Sequence, residues 1–161
     1  MKFGILTASD RCAAGLAEDR SGPLIASLTA EYGETLRYVC VPDERETIAK
    51  TLTDLCDLGA DVIFTTGGTG FAPRDVTPEA TEDVIEKKVP GIPEAIRAQS
   101  LKITPRAMLS RATAGIRGKT LIINLPGSPK AVRESIAVVL PVLEHAVETM
   151  SGQTQSCAVG Q

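Results

Sequence analysis

The feature that most constrains this chain is an alternation. Compact apolar runs at residues 2–7, 61–66 and 120–125 each stop at a polar segment that carries Ser or Gly. A further strand-like run covers residues 35–41. Between the runs, apolar residues recur at helical spacing. Leu24, Ile25 and Leu28 follow Ser21-Gly22-Pro23, and Ile48, Leu52, Leu55 and Cys56 follow Pro42-Asp43. Strands that alternate with helices predict an α/β fold, a three-layer sandwich with a mostly parallel sheet. A chain of 161 residues has room for one domain with a substantial core. No repeat or linker divides it. The domain is expected over residues 1–150, with residues 151–161 as a small, polar, flexible tail.

Local signals set further expectations. Gly33 is expected to stop the first long helix. Asp43 and Glu46 have the spacing of a capping box, so Asp43 is expected to open the helix carrying Ile48. Thr77, ahead of Pro78-Glu79, is expected to cap the next one. Pro90, Gly91 and Pro93 predict a break before a short helix at 94–101. Ser128-Pro129 begins the last helical stretch, which runs toward Met150 and which Pro141 is expected to kink or divide.

Composition excludes several classes. Net charge is −3 and aromatics are 3% of residues, so there is neither a basic stripe nor a set of stacking platforms, and nucleic acid is not expected as a partner. The N-terminal MKFGILTASD lacks the pattern of a secretory leader, and no apolar run approaches membrane-spanning length. Cys12, Cys40, Cys56 and Cys157 form no C-x-x-C pair, and His145 is the single histidine, so a structural zinc site is not expected. Cys40 and Cys56 read as small apolar filler. A reduced, cytoplasmic setting is the corresponding expectation.

In doubly wound sheets, ligands bind outside the carboxyl ends of the strands. Three polar segments fall at such ends: Ser9-Asp10-Arg11, the stretch from Thr66, and Pro126-Gly127-Ser128-Pro129. The second, within TTGGTGFAPRD at 65–75, is the richest. Gly67, Gly68 and Gly70 permit positive φ and close backbone approach, and their N–H groups, with the hydroxyls of Thr66 and Thr69, suit an anion. It is not a P-loop, because no Gly-Lys-Ser/Thr follows, and Pro73 breaks the dinucleotide fingerprint. Glycines alone fit a ligand-free connection equally well. The adjacent Arg74-Asp75 points instead to a phosphate and its metal.

These residues carry a resemblance. TTGGTGFAPRDVTPEAT (65–81) resembles the signature of the molybdopterin adenylyltransferases, the MogA/MoaB-like family related to the gephyrin G domain. ILTASDR (5–11), VPDE (41–44), LSRATAGIRG (109–118) and INLPGSPKAV (123–132) extend it over nearly the whole chain. The signature differs from that of the competence-damage-type proteins, TTGGLG followed by paired aspartates, at Thr69 and at Arg74-Asp75. The resemblance implies the molybdenum cofactor biosynthesis protein-like fold and a molybdopterin-binding domain over residues 1–150. It implies transfer of AMP from ATP to the phosphate of molybdopterin with release of pyrophosphate and a requirement for Mg²⁺. The alternative is a non-catalytic molybdopterin-binding protein of the MoaB branch. A homotrimer, or a hexamer in the MoaB branch, and a downstream molybdenum-insertion protein of the MoeA type are also implied.

By the same resemblance, Asp43 and Asp75 match the family's catalytic aspartates. A phosphate monoester nucleophile is already anionic and needs no general base. Carboxylates beside two polyanions then make sense as holders of Mg²⁺, a hard, oxygen-preferring ion. Other readings stand beside these. Asp43 also fits an N-cap, and Asp75 a partner of Arg74 or a cap for the Thr77 turn. Gly67, Gly68, Thr69 and Gly70 are expected to cradle phosphate, with Pro126, Gly127 and Ser128 as the opposite wall. Ser9 and Asp10 either face nucleotide or form a turn with surface charge. Ser110 and Arg111 match a segment expected to touch pterin, with a solvated arginine as the plain reading of Arg111. Lys130 either meets phosphate or decorates a helix surface. His145 is read as structural.

Overall fold

The computed structural model describes residues 1–152. The element order is β1 (Lys2–Ala8), α1 (Asp10–Ala13), α2 (Ser21–Thr29), β2 (Glu34–Val41), α3 (Arg45–Asp57), β3 (Val62–Thr66) and α4 (Thr77–Glu82). Then follow β4 (Lys87–Lys88), α5 (Gly91–Leu101), a 3-10 turn (Pro105–Leu109), β5 (Ala114–Arg117), β6 (Thr120–Leu125) and α6 (Pro129–Ser151). The strands form one six-stranded sheet in the order β2-β1-β3-β6-β5-β4. The first four are mutually parallel, and β5 and β4 add an antiparallel edge. Chain direction across the sheet reverses at β1, between β2 and β3. The carboxyl-end crevice of this reversal point is where a ligand is expected.

β1, β3 and β6 are apolar on both sides because both sides are covered. Phe3, Ile5, Val62, Phe64, Leu121, Ile123 and Leu125 face one core with Ile25 of α2, Ile96 of α5 and Val132, Ile136, Val139 and Leu143 of α6. Leu6, Ala8, Ile63 and Ile122 alternate to the other face, against Ile48, Leu52 and Leu55 of α3 and Ala80 of α4. Each fully buried Leu or Ile contributes roughly 1.5–3 kcal/mol relative to exposure. The three-layer expectation therefore holds, with the period-2 pattern hidden because both strand faces are apolar.

Several local expectations change. The helix after Asp43 takes Glu44 as its cap residue, and the Asp43 carboxylate bonds elsewhere. Thr77 is not a cap but the first helical residue of α4, with its side chain buried. α2 ends at Thr29, four residues before Gly33. α5 begins at Gly91 rather than Glu94, with Pro93 accommodated in the first turn, where its missing N–H costs nothing. Pro141 does not divide α6, which runs unbroken through Ser151. Ala137, whose carbonyl loses its partner to Pro141, and Pro141 itself are both exposed, which leaves that carbonyl open to solvent. α6 closes at Gly152 in the left-handed conformation, two residues into the segment expected as tail. Residues 153–161, including Cys157, lie outside the described residues. No helix among the described residues is long and apolar enough to cross a membrane.

Candidate active site

The four parallel strands end on one edge, which brings the loops after β1, β2, β3 and β6 together. The loop after β3 turns on two consecutive left-handed residues, Gly67 (φ 90°) and Gly68 (φ 64°). A Cβ at Gly67 would stand 2.3 Å from the Ala8 carbonyl oxygen, and one at Gly68 would stand 2.3 Å from Thr77 Oγ1. Only glycine fits either place. The N–H groups of Gly68, Thr69 and Gly70 find no acceptor among the described residues. Successive unpaired N–H groups in a turn form a concave anion site.

The loop after β6 closes against this turn. The Thr66 hydroxyl donates to the Pro126 carbonyl (2.7 Å), and the Ser21 hydroxyl to the Gly127 carbonyl (2.8 Å). Thr66 thus staples the two loops together, and Thr69 is left as the hydroxyl beside the glycines. A pocket of about 270 Å³ opens on one side of the joined loops, lined by Ser9, Cys12, Asp19, Ser21, Thr66, Gly67 and Gly127. A second, of about 280 Å³, opens on the other side, lined by Thr69, Gly70, Ile96, Arg97, Arg106, Ser110 and Pro126. Each lies near the lower end of the range for a small-molecule site, which suits one ligand per pocket with the loops between them. Ser128 lies outside both pockets. It is the N-cap of α6, and its hydroxyl accepts from Ala131 N–H (3.3 Å).

The two aspartates flank the turn. Asp43 Oδ1 lies 3.2 Å from where a Gly68 Cβ would be, and Asp75 Oδ2 lies 2.8 Å from the corresponding point at Gly70. Asp75 Oδ2 also accepts from Ala72 N–H (2.9 Å). Asp75 neither pairs with Arg74 nor caps α4. Asp43 Oδ2 accepts from Asp10 N–H (2.9 Å), and Asp10 Oδ1 accepts in return from Asp43 N–H (3.0 Å). Arg74 clamps Asp10 through both oxygens (2.5 and 2.8 Å). The Asp10 side chain is therefore a brace between three loops and not a free ligand group. The Ser9 hydroxyl caps α1 by accepting from Cys12 N–H.

Charge separates the neighbouring carboxylates. The Arg74 hydrogen bond holds Asp10 below the usual carboxylate range. Burial pushes Asp43 up, and the negative charges of Asp10 and Asp75 push it further. Cys40 is pushed up to about 11 by burial and by the neighbouring Cys12, so its thiol stays protonated at neutral pH. Asp19 sits in the first pocket. Burial raises it, but hydrogen bonds from Tyr38 and from Ser21 and Gly22 N–H outweigh burial and hold it low.

Among the described residues, no group of three or more His, Cys, Asp and Glu side chains stands ready to hold a metal. Two half-buried carboxylates beside a turn of free N–H groups fit a cation that is shared with phosphate oxygens and keeps its own waters, which is how Mg²⁺ is usually bound. They do not fit a closed metal cage.

Comparisons with known proteins identify the family. Residues 4–145 match the family model described as a probable molybdopterin binding domain. A Helicobacter pylori molybdopterin adenylyltransferase is 48% identical over 154 residues, covering 93% of this chain and 88% of that one. This chain belongs to the molybdopterin adenylyltransferase family. A Dictyostelium discoideum gephyrin is 46% identical over 95% of this chain, which spans 23% of that longer protein. The solved Thermus thermophilus molybdopterin biosynthesis enzyme MoaB is 47% identical, with TM-score 0.89 over 96% of this chain and 99% of that one.

Within this family fold, several contributors escape the sequence reading. Asp19 and Ser21 enter the first pocket from the start of α2, and Arg97 and Arg106 the second from α5 and the 3-10 turn. Arg111 is not a solvated arginine, because its guanidinium bonds to Gly70, Asp75 and Glu79. Lys130 is exposed and points along the helix surface toward Glu134, and His145 is exposed late in α6.

Proposed function

We propose that this protein is a molybdopterin adenylyltransferase that transfers AMP from ATP to the terminal phosphate of molybdopterin and releases pyrophosphate. The observation that carries the reading is the turn at Gly67–Gly70. It offers free N–H groups, separates two pockets and is flanked by Asp43 and Asp75. The family's curated members at 48% identity support the same activity.

One pterin phosphate oxygen forms a bond to the α-phosphorus of ATP, and the bond from that phosphorus to the pyrophosphate oxygen breaks. No proton must leave the nucleophile, so the protein's task is to align two polyanions and offset their repulsion. The N–H groups of Gly68, Thr69 and Gly70 hold phosphate oxygens between the pockets. Pro126 and Gly127 form the facing wall, kept in place by Thr66 and Ser21. Asp43 and Asp75 would hold Mg²⁺, whose charge offsets that of the phosphates when it is bound. Burial, and then the negative charges of Asp10 and Asp75, raise the affinity of Asp43 for a proton, and a cation at the site would offset that charge. Ser9 lies in one pocket and Ser110 in the other, each beside one substrate. Asp10 serves by fixing Asp43. A homotrimer, a cytoplasmic setting and hand-over to a molybdenum-insertion protein rest on the family resemblance alone.

The test is pyrophosphate release from ATP by protein loaded with molybdopterin in Mg²⁺ buffer. Wild type is expected to release it. Asp75→Ala is expected to lose at least about 1,000-fold in turnover while keeping pterin binding. Pterin binding without pyrophosphate from wild type would favour the non-catalytic binding protein instead.

A further inference from the structure

An anion-binding turn has a polarity problem. Each N–H that faces a phosphate belongs to a backbone whose carbonyls carry the opposite charge, and a mobile turn can present either. Here the carbonyls are collected on one residue. Arg111 Nε donates to the Gly70 carbonyl (2.7 Å), and Arg111 Nη2 to the Asp75 carbonyl (2.6 Å). The backbone N–H of Arg111 donates to the Thr69 carbonyl (3.0 Å). The remaining edge of the guanidinium meets Glu79, in the first turn of α4.

We propose that Arg111 is the positioning residue of this site: it turns the carbonyls of Thr69, Gly70 and Asp75 away from the phosphates and fixes the backbone that carries the Asp75 carboxylate. The assignment of its effect on turnover rests on the adenylyltransferase reading. The assignment of its effect on the loop does not.

Three details support the role. Arg111 comes from the connection between the 3-10 turn and β5, outside the loop that it holds, so its grip is independent of the loop's own order. Its side chain is one-third exposed, buried enough for charge-assisted bonds to resist screening. Glu79 is pushed up by burial, yet the Arg111 hydrogen bond holds it below the usual range, so the counter-ion stays charged at neutral pH. Lysine cannot substitute. It has one nitrogen, whereas two carbonyls and a carboxylate here meet a planar fork.

The experiment compares Arg111→Lys and Arg111→Ala with wild type by steady-state kinetics and by amide hydrogen exchange. The exchange probes are Asp75 N–H, bonded to Ala72, and Thr77 N–H, bonded to Gly68. Both variants are expected to exchange about tenfold or more faster at these two amides, with β3 amides unchanged. Both are expected to lose about 10- to 100-fold in kcat, with a smaller change in the KM for ATP. Arg111→Lys should recover thermal stability, through Glu79, without recovering kcat. Unchanged loop exchange in Arg111→Lys would overturn the proposal, as would kcat within twofold of wild type. If Arg111→Ala does not fold, Arg111→Lys and Glu79→Gln decide the same question. If wild type itself transfers no AMP, the adenylyltransferase reading fails, while the exchange measurement still decides the placement of the loop.

Discussion

The parallel half of the sheet and its antiparallel edge build opposite sides of the site in different ways. In the parallel half, β1, β3 and β6 are buried on both faces, and each ends in a loop that enters the crevice directly. At the antiparallel edge, β5 has four residues and β4 has two, and neither has a long apolar run. What that edge contributes arrives through a long polar side chain just ahead of β5, Arg111 on the glycine loop, and Arg97 of α5 holds the same connection by donating to the Ala112 carbonyl (2.9 Å). The rigid half supplies backbone to the ligand, and the edge supplies the guanidinium that keeps that backbone turned the right way.

Asn124 joins the two halves. Fully buried on β6, it donates to the hydroxyls of Thr65 (3.0 Å) and Thr81 (2.8 Å), and its Oδ1 accepts from Thr113 N–H (3.2 Å). Asn124→Ala removes three hydrogen bonds and leaves the Thr65 hydroxyl and the Thr113 N–H without partners, while Thr81 keeps its bond to the Thr77 carbonyl; the change is expected to cost about 3 kcal/mol in denaturant unfolding. Hydrogen exchange should rise first in β5. Equal loosening of β1 and β5 would show that the sheet behaves as one unit and that the contrast is false.

A smaller effect is expected within the parallel half. Gly68→Ala forces a side chain into the left-handed region and against Thr77 Oγ1, at a cost of about 1–3 kcal/mol. Turnover should fall about 100-fold even where the protein remains folded. Full turnover in a folded Gly68→Ala protein would mean that the turn is not the phosphate cradle.

The smallest effect sharpens the charge argument. Asp43 binds its proton more tightly in the folded protein than the ordinary value of 3.8, so the folded state carries more protons between the two values. Stability therefore falls as pH rises through the folded value, and Asp43→Asn should remove that loss. The variant is expected to be slightly more stable than wild type at pH 7. The advantage should vanish as pH falls below about 3.8, the ordinary value. The same variant should be severely impaired in turnover. Thermal unfolding from pH 3 to 7 reads the sign directly.

The difference between the halves also explains what could be read from the sequence. Apolar runs and glycine clusters are local signals, so β1, β3, β6 and the turn were legible, whereas the pairing of Asp43 with Asp75 came from the family resemblance. β4 and β5 are too short for an alternation to stand out. The Pro90-Gly91-Pro93 cluster looked like a break because the proline that starts a helix resembles the proline that ends one. Asp43 had a sound local reading as a cap, but it lost to a partner 33 residues away, the N–H of Asp10. Arg111 stood out only as part of a family segment, and nothing local showed what it holds. Its three acceptor residues, Gly70, Asp75 and Glu79, lie 32 to 41 positions earlier, and their approach depends on how β5 docks beside β6.

The most direct test follows the phosphorus. Protein loaded with molybdopterin is given Mg²⁺ with ATP labelled at either the α- or the γ-phosphate. The account predicts that the α-label moves to the pterin product and the γ-label leaves in pyrophosphate, one for one. Label from the γ-phosphate on the pterin, or no transfer to pterin shown to be bound, would contradict it.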